Sequence, residues 1–183
     1  MNLISKNDRD VIVSRHIQES LAILPILSIP TAAKVMDIGS GAGLPGIPIK
    51  IARPDLQITL IESKRMRALF LQEVIEELGL EGIAVSGERI ETLRVETPSL
   101  RTFDLGFARA VAKLKTLWDW SEPLLKKSGT LAALKGGDLN AELNELYDSA
   151  PTAIVEVYPL PESLVNHSLK RVAVLIKHGQ AQK

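Results

Sequence analysis

The residues best suited to chemistry stand in one stretch, Val35-Met36-Asp37-Ile38-Gly39-Ser40-Gly41-Ala42-Gly43-Leu44-Pro45-Gly46-Ile47-Pro48. Glycines at alternate positions let a chain turn tightly and bring its backbone close to a ligand, because no Cβ blocks the approach. Pro45 suits the first turn of a following helix, where its missing N–H has no partner to lose, and Pro48 fits the same turn. The stretch therefore reads as strand, glycine loop and helix, with a nucleotide-sized concavity beside the loop. Two spacings overlap in it. Gly41-Ala42-Gly43-Leu44-Pro45-Gly46 fits the dinucleotide pattern G-x-G-x-x-G, with Glu62 about 20 residues on as a ribose ligand. Asp37-x-Gly39-x-Gly41-x-Gly43 instead aims an acid from the strand end at the pocket, which suits a cationic ligand.

A second set of residues is cationic. Arg89, Arg109, Lys135 and Arg171 each stand at an end of an apolar run, where a parallel α/β sheet gathers its ligands. Arg109 lies within Phe107-Ala108-Arg109-Ala110-Val111-Ala112, and a charge in so apolar a run needs a partner. Four cations around one cleft point to an anionic substrate, with phosphate or RNA fitting better than a small neutral amine. Lys64, Arg65 and Arg67 form either a second RNA-facing patch or an exposed helix face. His16 is either a pocket residue or a packed helix histidine. Of seven aromatic residues, Phe107 alone is expected near the cleft, so stacking on an arginine plane is the available way to hold a base.

Composition narrows the choice. The 183 residues make one domain, residues 1–183, and 22 basic residues balance 22 acidic ones. No global field draws the chain to polyanions, so any such binding needs a local patch. The absence of cysteine removes disulfides, thiolate metal sites and a cysteine nucleophile. The three histidines are scattered, and no metal is expected. The longest N-terminal apolar run is short and broken by Pro25, so neither signal peptide nor membrane span is expected, and the address is cytoplasmic.

The elements that must position these residues alternate. Apolar residues at helical spacing predict an amphipathic helix over 9–27, packed on a sheet core over about 33–178. Strands are predicted at 34–38, 56–61, 83–86, 103–108, 130–134, 153–158 and 172–177. Helices are predicted after Gly46, over 64–78, from 114 to 125 and over 139–147. The fold class is α/β: a Rossmann-like, doubly wound, mostly parallel seven-stranded sheet closed by a C-terminal antiparallel hairpin. In that frame Asp37 and Gly39 follow the first strand, Glu62 the second, Arg89 and Glu91 the third, Arg109 the fourth and Lys135 the fifth.

The acid-and-glycine spacing resembles motif I of the S-adenosylmethionine-dependent methyltransferases. Together with Arg15-His16-Ile17-Gln18-Glu19-Ser20, Arg109-Ala110-Val111-Ala112 and Ala133-Leu134-Lys135-Gly136, the long motif around Leu44-Pro45-Gly46-Ile47-Pro48 resembles the bacterial small-subunit ribosomal RNA guanine-N7 methyltransferases (RsmG or GidB). The resemblance implies S-adenosyl-L-methionine as cofactor, bordered by Asp37, Gly39, Gly41, Gly43, Leu44 and Glu62, with Ile90 and Glu91 near its adenine and Arg109 completing the pocket. It implies that Arg109, Lys135 and Arg171 position the substrate without a general base. Arg15, His16, Arg67, Arg89, Lys135 and Arg171 are then expected against RNA. The partner implied is 16S ribosomal RNA or the small subunit, bound by a monomer. Two features depart from the family pattern: a helical segment expected ahead of Asn2, and a lysine expected where Met66 stands. A nicotinamide-dependent redox domain and a non-catalytic cofactor- and RNA-binding module remain the alternatives.

Overall fold

The computed structural model describes residues 16–96, 101–161 and 171–179. Seven strands form one sheet in the order β3-β2-β1-β4-β5-β7-β6. They are β1 (Lys34–Ile38), β2 (Gln57–Ile61), β3 (Ile83–Ser86), β4 (Phe103–Arg109), β5 (Leu125–Gly136), β6 (Ile154–Pro159) and β7 (Arg171–Lys177). The first five pair in parallel, while β7 runs antiparallel between β5 and β6. The expected terminal hairpin is thus present.

The central strands are apolar on both faces because helices cover both. Val35, Leu105 and Phe107 turn to one layer with Ile47, Ile49 and Leu71, from α2 (Gly46–Ala52) and α3 (Arg65–Glu77). Met36, Ile38, Leu131 and Ala133 turn to the other with Leu114, Leu117 and Leu146, from α5 (Leu114–Ser121) and α6 (Asn140–Ser149). The two-residue period of a strand sorts neighbours to opposite layers. Between β1 and β4 the chain order reverses, and in open α/β sheets the ligand crevice lies at that point, beyond the strands' carboxyl ends.

Three elements differ from the sequence expectation. The N-terminal helix does not continue to 27: α1 (Gln18–Leu21) gives way to a 3-10 turn over Leu24–Ile26, because Pro25 cannot donate within a helix. Residues 9–15 of that helix lie outside the described residues. α5 stops at Ser121 rather than 125, since Pro123 has no N–H to donate back into the helix. The chain thereby released begins β5 early, at Leu125 opposite Phe103, with a register shift before Leu105 pairs with Thr130. The polar Lys126-Lys127-Ser128 segment hid that first half of the strand. The remaining helix, α4 (Ile90–Glu96), starts where the third strand delivers Glu88 and Arg89.

Candidate active site

The glycine loop between β1 and α2 is held from below by two buried acids. Asp37 is fully buried, and its Oδ2 accepts the Gly46 N–H at 3.1 Å. A Cβ on Gly46 would lie 2.7 Å from that oxygen and 2.5 Å from Leu60 Cδ2, so only glycine lets helix α2 begin this close to the strand. Pro45 stands at the N-cap position and Pro48 in the first turn, one residue earlier than expected for the former. Burial pushes the Asp37 carboxyl up to about 7, against the opposing pull of the Gly46 N–H, Ser40 and Arg109. Its Oδ1 has no hydrogen-bond partner among the described residues.

Glu62, at the end of β2, is the second acid. Its Oε2 accepts the Gly41 N–H at 3.1 Å and its Oε1 the Lys64 N–H at 2.8 Å. Arg67 leans back towards it, Nη1 lying 3.8 Å from Oε2. The rest of the loop is laced to the same strand end: the Gly39 and Ser40 N–H groups both donate to Ile61 O, at 2.8 and 3.1 Å, and the Gly43 N–H donates to Ser40 O at 2.7 Å. The N–H groups of Gly39, Ser40, Gly41, Gly43 and Gly46 are therefore spent inside the protein. A dinucleotide fold instead turns such groups outward to a pyrophosphate. With two carboxylates beneath it, this loop suits a ligand that is cationic or rich in hydroxyls, and the dinucleotide reading is corrected on that ground.

Beside the loop lies a cavity of about 130 Å³ lined by Ile38, Gly39, Glu62, Arg89, Ile90, Glu91, Val111 and Trp120, among others. Gly39, Glu62, Ile90 and Glu91 thus border one space, and Arg89 joins them at its rim. Gly41, Gly43 and Leu44 shape the loop but do not line the cavity, and neither Asp37 nor Arg109 lines it. The volume is small beside the few hundred Å³ of an ordinary ligand site, and Val111, one of its lining residues, sits on Gly39: a Cβ added there would fall 2.8 Å from a Val111 methyl. Val111 is aimed there by Ala110, a non-glycine residue at φ 54°. The aromatic expectation is reversed. Phe107 is fully buried in the core, on the layer facing α2, whereas Trp120 of α5 lines the cavity.

The cations are distributed unequally. Arg109, the last residue of β4, donates to Glu19 Oε2 at 3.0 Å, to His16 Nδ1 at 2.5 Å and to the His16 carbonyl at 3.4 Å. The Nε of Arg171 lies 3.4 Å from Glu19 Oε1. Glu19, His16, Arg109 and Arg171 therefore form one cluster at the sheet's carboxyl edge. Glu19 was no candidate in the sequence; its position beside Ser20 on a buried helix face was the available signal. Lys135 departs from expectation. It turns to α6, donating to Glu142 Oε2 at 2.6 Å and to Ala112 O at 2.7 Å. The same Glu142 oxygen accepts the Leu114 N–H at 3.0 Å, a helix-start donor that otherwise lacks a partner. Lys135 and Glu142 thus brace the turn that carries Val111. Arg15 lies outside the described residues.

Against this geometry the comparisons are decisive on family. The model of the family described as rRNA small subunit methyltransferase G (GidB) matches residues 1–170. The chain belongs to this family. It is 41% identical over 145 residues to the ribosomal RNA small subunit methyltransferase G of Desulforamulus reducens, a match covering 79% of this chain and 60% of that relative. With the protein of the same description from Rubrobacter xylanophilus it shares 35% over 98% of this chain and 70% of that one. The chain accordingly spans about 60% of the length of the first of these relatives. Among solved structures, a SAM-dependent O-methyltransferase from Thermotoga maritima has the same fold, with a TM-score of 0.68 at 17% identity, covering 91% of this chain and 67% of that one. This chain therefore carries the seven-stranded sheet of a SAM-dependent methyltransferase fold. Among the described residues there is no group of acids and histidines placed to hold a metal ion, and no helix is long and apolar enough to cross a membrane.

Proposed function

We propose that this GidB-family chain transfers a methyl group from S-adenosyl-L-methionine to N7 of a guanine in 16S ribosomal RNA by in-line displacement. The observation that carries the reading is the pairing, at one sheet edge, of an acid-floored glycine loop with a cluster of arginines. The loop offers carboxylates and a short apolar slot, and the arginines offer a seat for RNA.

The pocket residues fit the cofactor. The unpartnered, buried Oδ1 of Asp37 is an acceptor for an ammonium or for a water bound to one. A Cβ built on Gly41 would meet nothing nearer than Gly39 O at 3.8 Å, so the loop has open space above it. Glu62 and Glu91 present acceptors for ribose hydroxyls, while Ile90 and Trp120 supply apolar lining to the same cavity. S-adenosylmethionine supplies an electrophilic methyl on a sulfonium when bound. Guanine N7 holds an in-plane lone pair and needs no proton removed to take that methyl, so no residue is required as a base. The chain's task is alignment of the reacting atoms and a matched electrostatic environment. Arg171 holds the RNA beside the fixed Arg109, Arg89 contributes from the rim, and a guanidinium plane supports the base.

The test combines two measurements on the whole chain. Calorimetry is expected to show saturable binding of S-adenosylhomocysteine and none of NAD. Transfer of tritiated methyl to small subunits or to stripped 16S ribosomal RNA is expected in at least one substrate. Cofactor binding with no label in either would favour a binding module without turnover.

A further inference from the structure

Glu19 is a buried acid far in sequence from the loop, the cavity and the strand ends, yet its two carboxylate oxygens take two different arginines. Oε2 holds Arg109 at 3.0 Å and Oε1 holds Arg171 at 3.4 Å. Those arginines come from β4 and β7, with β5 between them: Arg109 is opposite Leu134 and Arg171 opposite Gly136. One side chain on α1 therefore bridges across a whole strand at the catalytic edge. We propose that Glu19 is a positioning residue of the RNA site, fixing Arg109 and holding Arg171 ready for transfer to a phosphate of the substrate. The proposal rests on the reading of the chain as an RNA methyltransferase.

The two halves of the bridge are unlike. The Arg109 side chain is 14% exposed and the Glu19 side chain 5%, and Arg109 has two further acceptors on His16. That contact is tight and shielded, and breaking it would leave a buried carboxylate uncompensated, which is costly. The Arg171 side chain is 28% exposed and meets Glu19 through Nε at the longer distance. A phosphate offers a guanidinium two oxygens in bidentate geometry, so exchange of carboxylate for phosphate favours the substrate at Arg171 and not at Arg109. Glu19 stays neutralised by Arg109 when Arg171 leaves. One carboxylate against two guanidiniums also gives this spot a local positive excess in a chain whose formal net charge is zero.

The experiment uses the whole chain, stripped 16S ribosomal RNA and S-adenosylmethionine, with E19Q, E19D, R171A and the E19Q/R171A pair. E19Q is expected to lower kcat at least tenfold, because Arg109 is no longer fixed. It should bind RNA at least threefold more tightly at the parent's salt slope, because Arg171 reaches the phosphate in both proteins but gives up no carboxylate in E19Q. E19D keeps the charge; it should hold the parent's RNA affinity and recover at least threefold of the lost kcat. In the R171A background the E19Q change should leave RNA affinity unaltered. A kcat for E19Q within threefold of the parent would overturn the proposal. So would a joint fall of kcat, RNA affinity and urea stability, which marks a merely structural acid. If E19Q does not fold, E19D decides alone, and an RNA affinity more than threefold from the parent's overturns it. If the parent itself transfers no methyl, the functional reading fails instead, and an RNA affinity for E19Q no tighter than the parent's would still refute the role of Glu19.

Discussion

Replacing Asp37 by asparagine should make this protein more stable at alkaline pH, although it removes an acid from the centre of its ligand loop. The carboxyl is fully buried, and burial raises its pKa from 3.8 to about 7. A folded state that binds a proton more tightly than the unfolded state loses stability as pH rises between those values. The contribution is fully present below pH 4 and gone above about pH 7. At 1.36 kcal/mol per pH unit the whole effect is of order 4 kcal/mol. Asparagine keeps an oxygen for the Gly46 N–H but places an amide where Oδ1 now has no partner, which returns about 1–3 kcal/mol. The expected net gain is about 1–3 kcal/mol at pH 8.5, shrinking and changing sign towards pH 4.5. Urea unfolding of D37N and parent at pH 4.5, 6, 7.5 and 8.5 measures it. A difference that does not vary with pH would refute the assignment, as would a variant destabilised most at high pH. S-adenosylhomocysteine binding on the same samples should weaken, because Asp37 carries the buried acceptor beside the loop.

Three further outcomes follow from particular contacts. Gly46→Ala should cost about 1–3 kcal/mol in urea unfolding, since its Cβ would crowd Leu60 and Asp37 in a packed core. Lys135→Ala should destabilise by a similar amount, leaving Glu142 without its cation and Ala112 O without the ammonium donor; it should also weaken S-adenosylhomocysteine binding by loosening the turn under Val111, as calorimetry would show. Arg171→Ala should leave that cofactor affinity within threefold and flatten the salt dependence of RNA binding by about one phosphate contact, read by filter binding over a salt series.

The sheet was legible in the sequence because burial on both faces writes itself as mostly apolar runs: 34–38, 56–61 and 103–108 need no long-range information. The loop was legible for a related reason, since Gly46 and Asp37 constrain each other across nine positions. What could not be read was anything set by partners far apart. Glu19 meets Arg109 across 90 positions, so its place on a buried helix face says nothing of its partner. Lys135 stands at the expected strand end, but its direction depends on Glu142, which arrives with the next helix. Phe107 was placed in the cleft by its nearness to the strand end; strand parity sends it into the core, and a helix from outside the sheet brings Trp120 instead. The early start of β5 depends on pairing with Phe103, which overrides the polar character of Lys126-Lys127-Ser128.

The most direct test of the account is nucleoside mass spectrometry of 16S ribosomal RNA incubated with the chain and S-adenosylmethionine. One additional 7-methylguanosine, absent when the chain is omitted, is the outcome expected from a site that aligns an intrinsically nucleophilic nitrogen. A new methyl on ribose, on an exocyclic amine or on a base carbon would contradict it.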